Sequence, residues 1–326
     1  MPDNAPDASL LELSGVTRRY RLRQGFFAGA RREVAAVAGV DLVVAPGETV
    51  GLVGESGCGK STLARLAVGL EPPTSGTVRL GGRDPWSGVA GARQTLPRLV
   101  QMIFQDPFAS LNPRLPVGWT VAEGLRAVGQ GSAGQRRERV LELLSLVGLA
   151  PEHAKRFPHQ FSGGQRQRIA VARALALSPR LLVCDEPVSA LDVSVQAQVI
   201  NLLADLRERL GLAYLFISHD LAVVGHISDR TAVMYLGRIV ETAPTRALYD
   251  GPVHPYTRAL LAAAPVADPR RRQPAALAGE APDPAAPPPG CPFHPRCARA
   301  VAACREAVPP LTEVAPGHFA RCARPS

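Results

Sequence analysis

Glu48-Thr-Val-Gly-Leu-Val-Gly54-Glu55-Ser56-Gly57-Cys58-Gly59-Lys60-Ser61-Thr62-Leu-Ala-Arg-Leu-Ala-Val-Gly69 is the stretch on which the fold turns. Its first residues read as a short buried strand, its last as a helix ended by glycine. Between them stands G-x-x-x-x-G-K-[ST], a loop that wraps phosphates. The glycines let the backbone turn tightly, so that successive N–H groups form an anion-binding nest. Lys60 reaches the β- and γ-phosphates as a compact point charge, where a planar Arg fits less well. Ser61 offers a hydroxyl to Mg²⁺, and the helix behind it presents its positive end. Lysine is otherwise almost absent, Lys155 being its other copy, so a lysine in this slot is not drift. Residues Gly54, Glu55, Ser56, Gly57, Cys58, Gly59, Lys60, Ser61 and Thr62 are the candidate nucleotide-binding set, and the chain is expected to bind a nucleoside triphosphate.

Working outward, 326 residues suffice for one large domain or two modest ones. No stretch approaches the ~18–20 apolar residues that span a bilayer. The opening Met-Pro-Asp-Asn-Ala-Pro-Asp is acidic and lacks the pattern of a secretory signal, so a cytosolic or peripheral place is expected. A net charge of +9 admits nucleic acid, an anionic membrane surface or an Arg-rich composition. No basic run exceeds Arg270-Arg271-Arg272 and none is interleaved with aromatics, so specific nucleic-acid binding is not expected.

Residues 10–22, alternating in character, read as an edge strand, 37–44 as a second strand closed by Pro46-Gly47, and 77–80 as a third. Short apolar strands follow at 101–105, 181–184 and 213–217, with a long helix over about 193–210. From about 115 to 178 the pattern is helical, apolar at i, i+3 and i+4 in Arg139-Val-Leu-Glu-Leu-Leu-Ser-Leu-Val147. The fold class expected is α/β, a P-loop NTPase core of mostly parallel sheet flanked by helices. To it are added an antiparallel β subdomain, a helical insertion at about 106–178 and a cysteine-bearing C-terminal tail. The boundaries expected are a nucleotide-binding domain at 1–267, a Pro/Ala-rich linker at 268–290 and the tail at 291–326.

Asp185 and Glu186 end an apolar strand. An Asp at such a tip can hold Mg²⁺, and the next residue faces the γ-phosphate, where Glu186 can act as general base. His219 and Gln105 also follow strands, and strand C-termini line the ligand crevice of such sheets. His219 can bond the γ-phosphate or the attacking water, and Gln105 the Mg²⁺ or the water. A second glycine turn, Phe161-Ser162-Gly163-Gly164-Gln165, opens a helix inside the insertion and is another anion site. A second half-site suggests completion by a neighbouring molecule.

With these motifs in order, the chain resembles the nucleotide-binding subunit of an ABC transporter over about residues 10–250. The resemblance implies a phosphate loop at 54–61, a glutamine loop at Gln105, a signature at Ser162, Gly163, Gly164 and Gln165, an aspartate loop ending at Asp192 and a switch histidine, His219. Tyr20 matches the aromatic that stacks on adenine. The family works as a head-to-tail ATPase dimer in which the partner's signature covers ATP, and the region after the glutamine loop couples hydrolysis to transmembrane subunits. The segments at 106–114, 185–192 and 254–261, with the cysteine tail, are similar to oligopeptide/dipeptide importer ATPases. The glycine-rich 24–30 stretch resembles the second of the two ATPases such importers often carry. Implied partners are a second ATPase subunit, two permease subunits and an extracytoplasmic substrate-binding protein, with the chain peripheral at the cytoplasmic face of the cell membrane. The competing expectations are a soluble ABC-type ATPase in nucleic-acid or translation work and a subunit of a phosphonate-degrading complex.

Cys58 and Cys184 lie inside motifs and read as small fillers, whereas Cys291, Cys297, Cys304 and Cys322 cluster near the C-terminus. In a cytosolic protein such a cluster favours metal over disulfides. The spacing C-x5-C-x6-C-x17-C copies neither a zinc ribbon nor a ferredoxin run. The resemblance implies a [4Fe–4S] cluster on the four thiolates. Zinc, with His294 or His318 as further ligands, and no metal at all remain the alternatives.

Overall fold

The computed structural model describes residues 9–22, 32–89, 91, 93–106, 110–264 and 279–324. The glycine-rich 24–30 stretch, residues 107–109, the basic run at 270–272 and the first part of the 268–290 linker lie outside the described residues.

The strands are β1 (Leu11–Leu22), β2 (Arg32–Val44), β3 (Thr49–Val53), β4 (Ser75–Leu80), β5 (Val100–Ile103), β6 (Leu181–Asp185), β7 (Ala213–Ile217), β8 (Arg230–Tyr235), β9 (Arg238–Pro244), β10 (Thr312–Ala315) and β11 (His318–Ala320). They sort into a three-stranded sheet, β2-β1-β4, and an eight-stranded sheet, β10-β11-β9-β8-β3-β7-β6-β5. The pairs β8–β3, β3–β7, β7–β6 and β6–β5 are parallel. Every residue of β3, β6 and β7 is buried. Strands covered on both faces can be apolar throughout, and parallel neighbours need helical crossovers to connect them. Helix α1 (Lys60–Ala67) follows β3, and the helix Val193–Leu210 joins β6 to β7. The latter buries Val199, Ile200, Leu203 and Leu206, each contributing about 1.5–3 kcal/mol of transfer free energy. It stops at Gly211, which takes the left-handed φ of +64°.

The smaller sheet corrects one expectation. Residues 10–22 form its middle strand, not an edge, because Leu11 pairs with Val44 on one side and Leu80 on the other. The alternation that suggested an edge has another origin: Leu11, Leu13 and Val16 point into the core while Arg19 and Arg21 face solvent.

Between β5 and β6 the chain is helical as expected, with helices Val117–Val121, Glu123–Ala127, Ala133–Leu146 and Gly163–Leu175. The apolar spacing over 139–147 lies in the helix Ala133–Leu146, which starts where Ser132 and Gln135 form a capping box. The tail is joined to the larger sheet: Phe319 pairs with Thr242 and Ala320 with Glu241, placing β11 against β9. Cys291, Phe293 and Cys304 belong to the same core cluster as Leu182 and Cys184 of β6 and Tyr214 and Phe216 of β7. No helix among the described residues is long and apolar enough to cross a membrane.

Candidate active site

The parallel register sets the site. Asp185 lies beside Ile217, Cys184 beside Ile103, and Leu52 beside Ile217, so the loops after β3, β5, β6 and β7 leave the sheet at one edge. Two of these loops deliver a side chain to one atom carried by a third. Glu186 Oε2 accepts from Gln105 Nε2 at 3.2 Å and pairs with His219 Nδ1 at 3.1 Å. The expected trio is thus assembled on a single carboxylate. Glu186 holds φ at +48°, the left-handed region that a side-chain-bearing residue seldom adopts. Its N–H is anchored on Ile217 O at 2.9 Å.

Loop 54–61 lies beside them. Lys60 is buried, and its Nζ donates to Gly54 O at 2.7 Å and Glu55 O at 3.0 Å. Two glycines are sterically required. A Cβ on Gly59, whose φ is +108°, would sit 2.0 Å from Ala36 O, and one on Gly54 would sit 2.2 Å from Met234 O. Ser61 Oγ donates to Asp185 Oδ1 at 3.1 Å. A hydroxyl beside a carboxylate at the mouth of a phosphate loop is the hard-oxygen donor set that suits Mg²⁺. Burial pushes the Asp185 carboxyl up from its usual value; the Ser61 bond opposes this, Glu186 adds to it, and Arg65 and Lys60 oppose it. Cys58 is buried, with its thiol pushed up by that burial, and Cys184 likewise, in keeping with fillers. Thr62 is buried at the start of α1.

The second glycine turn differs. Ser162 caps the helix Gly163–Leu175: its Oγ accepts from Gln165 N, and its own N–H donates to Gln165 Oε1. Gly164 sits against the next motif, since a Cβ there would lie 2.4 Å from Val195 Cγ1, and one on Gly163 would lie 3.2 Å from Leu191. Asp192 begins the helix Val193–Leu210, its carbonyl accepting from Val195 and Gln196. The side chains of Ser162 and Asp192 are exposed. Signature and aspartate loop therefore share one surface.

Tyr20 is held in a polar network. Its hydroxyl donates to Glu71 Oε2 at 2.5 Å, Arg18 lies 4.9 Å from its ring, and Glu71 also pairs with Arg18 and Arg65. Sequence reasoning missed Glu71, and it missed two residues that hold Glu55, namely Tyr256 and Arg296. The segment containing Tyr256 was noticed, but only as a likeness. A cavity of about 950 Å³ opens beside Ser61 and Asp185, lined also by Phe104, Gln105, Glu123 and Arg173. It lies between the sheet core and the helical insertion.

In the tail, burial raises the Cys291 thiol, a bond from the Phe293 backbone opposes this, and Cys304, Cys322 and Cys297 raise it further. Burial likewise raises Cys322, with Cys297 and Cys304 adding to it. Among the described residues, however, no three His, Cys, Asp or Glu side chains are grouped closely enough to hold a metal ion.

Comparison with known proteins agrees with this geometry. The ABC transporter family matches residues 37–189, and the family described as oligopeptide/dipeptide transporter, C-terminal region, matches 240–304. A probable peptide ABC transporter ATP-binding protein of Sinorhizobium fredii is 53% identical over 96% of this chain and 89% of its own. An oligopeptide transport ATP-binding protein of Bacillus subtilis is 49% identical over 98% of both chains. A di/tripeptide transport ATP-binding protein of Pseudomonas aeruginosa is 50% identical over 93% of this chain and 94% of its own. Among solved structures, a dimeric post-hydrolysis ATP-binding cassette bound to ADP and Pi superposes with a TM-score of 0.63. It is 30% identical and covers 72% of this chain and 99% of that one. With a phosphate loop, a carboxylate pair and a helix-capping signature on the matched segments, the chain belongs to the ABC transporter ATPases, in the family of peptide-transport ATP-binding subunits.

Proposed function

We propose that this chain hydrolyses ATP to power a membrane importer of peptides or related small solutes. The observation that carries the proposal is the meeting of Gln105 and His219 on one oxygen of Glu186, beside Lys60, Ser61 and Asp185. Both contacts take Oε2, which leaves Oε1 to accept the proton of an attacking water, so Glu186 serves as general base. Its unusual backbone conformation fixes that carboxylate in direction. His219 orients it and faces the γ-phosphate. Lys60 turns from the Gly54 and Glu55 carbonyls to the β- and γ-phosphates, and the amides of 54–61 cradle the rest. Mg²⁺, when bound, offsets phosphate charge, and Ser61, Asp185 and Gln105 are the residues that would hold it. Tyr20 supplies the face for adenine.

The second subunit completes the site. Ser162, Gly163, Gly164, Gln165 and Asp192, with Ser162 and Asp192 exposed and the positive end of a helix behind the signature, cover the ATP of a head-to-tail partner. The cavity beside Gln105 and Arg173 takes the permease, so that closure of the ATP site moves a transmembrane subunit. Two permeases, a second ATPase and an extracytoplasmic binding protein complete the machine, with this chain peripheral at the cytoplasmic face of the membrane. The C-terminal family match and the peptide-transport relatives favour transport over the nucleic-acid and phosphonate readings.

For the tail, we propose that Cys291, Cys297, Cys304 and Cys322 hold a [4Fe–4S] cluster as thiolates, zinc being the alternative. The clustering of the four cysteines near the C-terminus supports it; their present grouping does not form a ready ligand set. Purification from native membranes without oxygen tests both levels. Co-purifying permeases, with a broad band near 400 nm (the order of thiolate-to-iron charge transfer), are expected. A colourless chain accompanied by nucleic acid and no permease would overturn the transport assignment.

A further inference from the structure

Glu55, inside the phosphate loop, is gripped at both ends. Its backbone N–H donates to Tyr256 Oη at 2.9 Å. Its carboxylate receives a fork from Arg296: Nη1 to Oε2 at 2.8 Å and Nη2 to Oε1 at 3.1 Å. Arg296 comes from the cysteine tail, 241 residues away and immediately before Cys297. Its side chain is only 4% exposed. Nη1 also reaches Tyr235 Oη at 3.4 Å, and the guanidinium stands about 6 Å from the rings of Tyr235 and Phe293. Tyr235, Tyr256 and Phe293 pack ring against ring. A two-pronged, charge-assisted pair with its guanidinium buried is stronger than a neutral hydrogen bond, although the Glu55 carboxylate keeps some contact with solvent. Losing one partner strands the other charge.

The tail that supplies Arg296 is itself fixed. Arg321 N donates to Val240 O at 2.7 Å, continuing the pairing of β11 with β9, and His318 Nε2 meets the buried Glu241 Oε1 at 2.7 Å. The frame that holds the guanidinium is therefore the main sheet.

We propose that Arg296 is a positioning residue for ATP hydrolysis, acting from the cysteine tail through Glu55 on the shape and charge of loop 54–61. The proposal rests on that loop being the nucleotide loop. Two physical effects support it. The carbonyls of Gly54 and Glu55 place Lys60, so where Glu55 is held decides where the lysine begins its reach. An unpaired Glu55 carboxylate would also repel the incoming phosphates, and Arg296 cancels that charge. Arg296 bonds Glu55 and Tyr235, whereas the base Glu186 is held by Gln105 and His219, so the effect falls on ATP binding more than on the chemical step. A staple that merely keeps the tail in place would instead lower stability and leave KM alone.

The test is steady-state hydrolysis by the full chain in its purified complex, with the melting temperature recorded alongside. Arg296→Gln is expected to raise KM for ATP about tenfold, with kcat within about twofold. Arg296→Lys, which keeps charge but not the fork, is expected to raise KM about threefold. Pairing Arg296→Gln with Glu55→Gln removes the stranded carboxylate and should bring KM back to within about threefold of the parent. An unchanged KM in Arg296→Gln would overturn the proposal, as would additive losses in the double variant. If Arg296→Gln melts below the assay temperature, Arg296→Lys decides: a raised KM supports the proposal and an unchanged one overturns it. Lys60→Ala separates the levels, because ATP binding that survives it would remove the nucleotide-loop reading itself. Loss of binding there, with KM unmoved in Arg296→Gln, would overturn only the part assigned to the tail.

Discussion

Two glycine turns open two helices in this molecule, and they are supported in opposite ways. The 54–61 turn is surrounded by its own chain: Ala36 and Met234 press on its glycines, Asp185 bonds Ser61, and Tyr256 and Arg296 hold Glu55. The 161–165 turn bonds chiefly to its own helix and leaves Ser162 exposed. One half-site is finished within the subunit, while the other is only presented. The same anion-binding chemistry serves a ligand held in cis when it is walled in, and a ligand held in trans when it is left open.

The comparison breaks most severely at Gly59. Gly59→Ala puts a methyl into the Ala36 carbonyl at a left-handed φ, so ATP binding is expected to fall below detection in a nucleotide titration, with Lys60→Ala matching it. Next comes Glu186→Gln, which should retain ATP yet slow hydrolysis by about 10²–10⁴-fold and accumulate closed dimers; normal turnover would remove Glu186 as base. Ser162→Arg sharpens the contrast rather than abolishing it. In mixed dimers with a Lys60→Ala partner, the arginine should damage only the site whose phosphate loop lies on the other subunit. The smallest effect is Ser162→Ala, which deletes a helix cap and is expected to cost about 1 kcal/mol in a denaturant melt.

Much of this was legible because it was local. The strands before Gly54 and after Arg180 are continuous apolar runs, as parallel strands covered on both faces must be, and the motifs hang on their ends. That Gln105, Glu186 and His219 converge follows from the register of β5, β6 and β7, once the strands are known to be parallel neighbours. What sequence did not reveal is long-range or conformational. The Arg296–Glu55 fork joins residues with no pattern between them, and the left-handed backbone at Glu186 has no compositional signal, since glycine would have been its usual sign. β1 reads as an edge from its alternation alone, and nothing in that pattern tells that both of its sides are paired. β10 and β11 span only four and three residues, too few for alternation to register.

The pairing of β11 with β9 has a consequence for synthesis. Domains fold as they leave the ribosome, and β9 emerges well before the residues that cover its free side. Until 318–320 arrive, β9 carries an open row of amides and carbonyls, a template for any neighbouring chain. A translation product that stops between them would keep that row exposed permanently, marking itself for aggregation or for capture by chaperones and proteases.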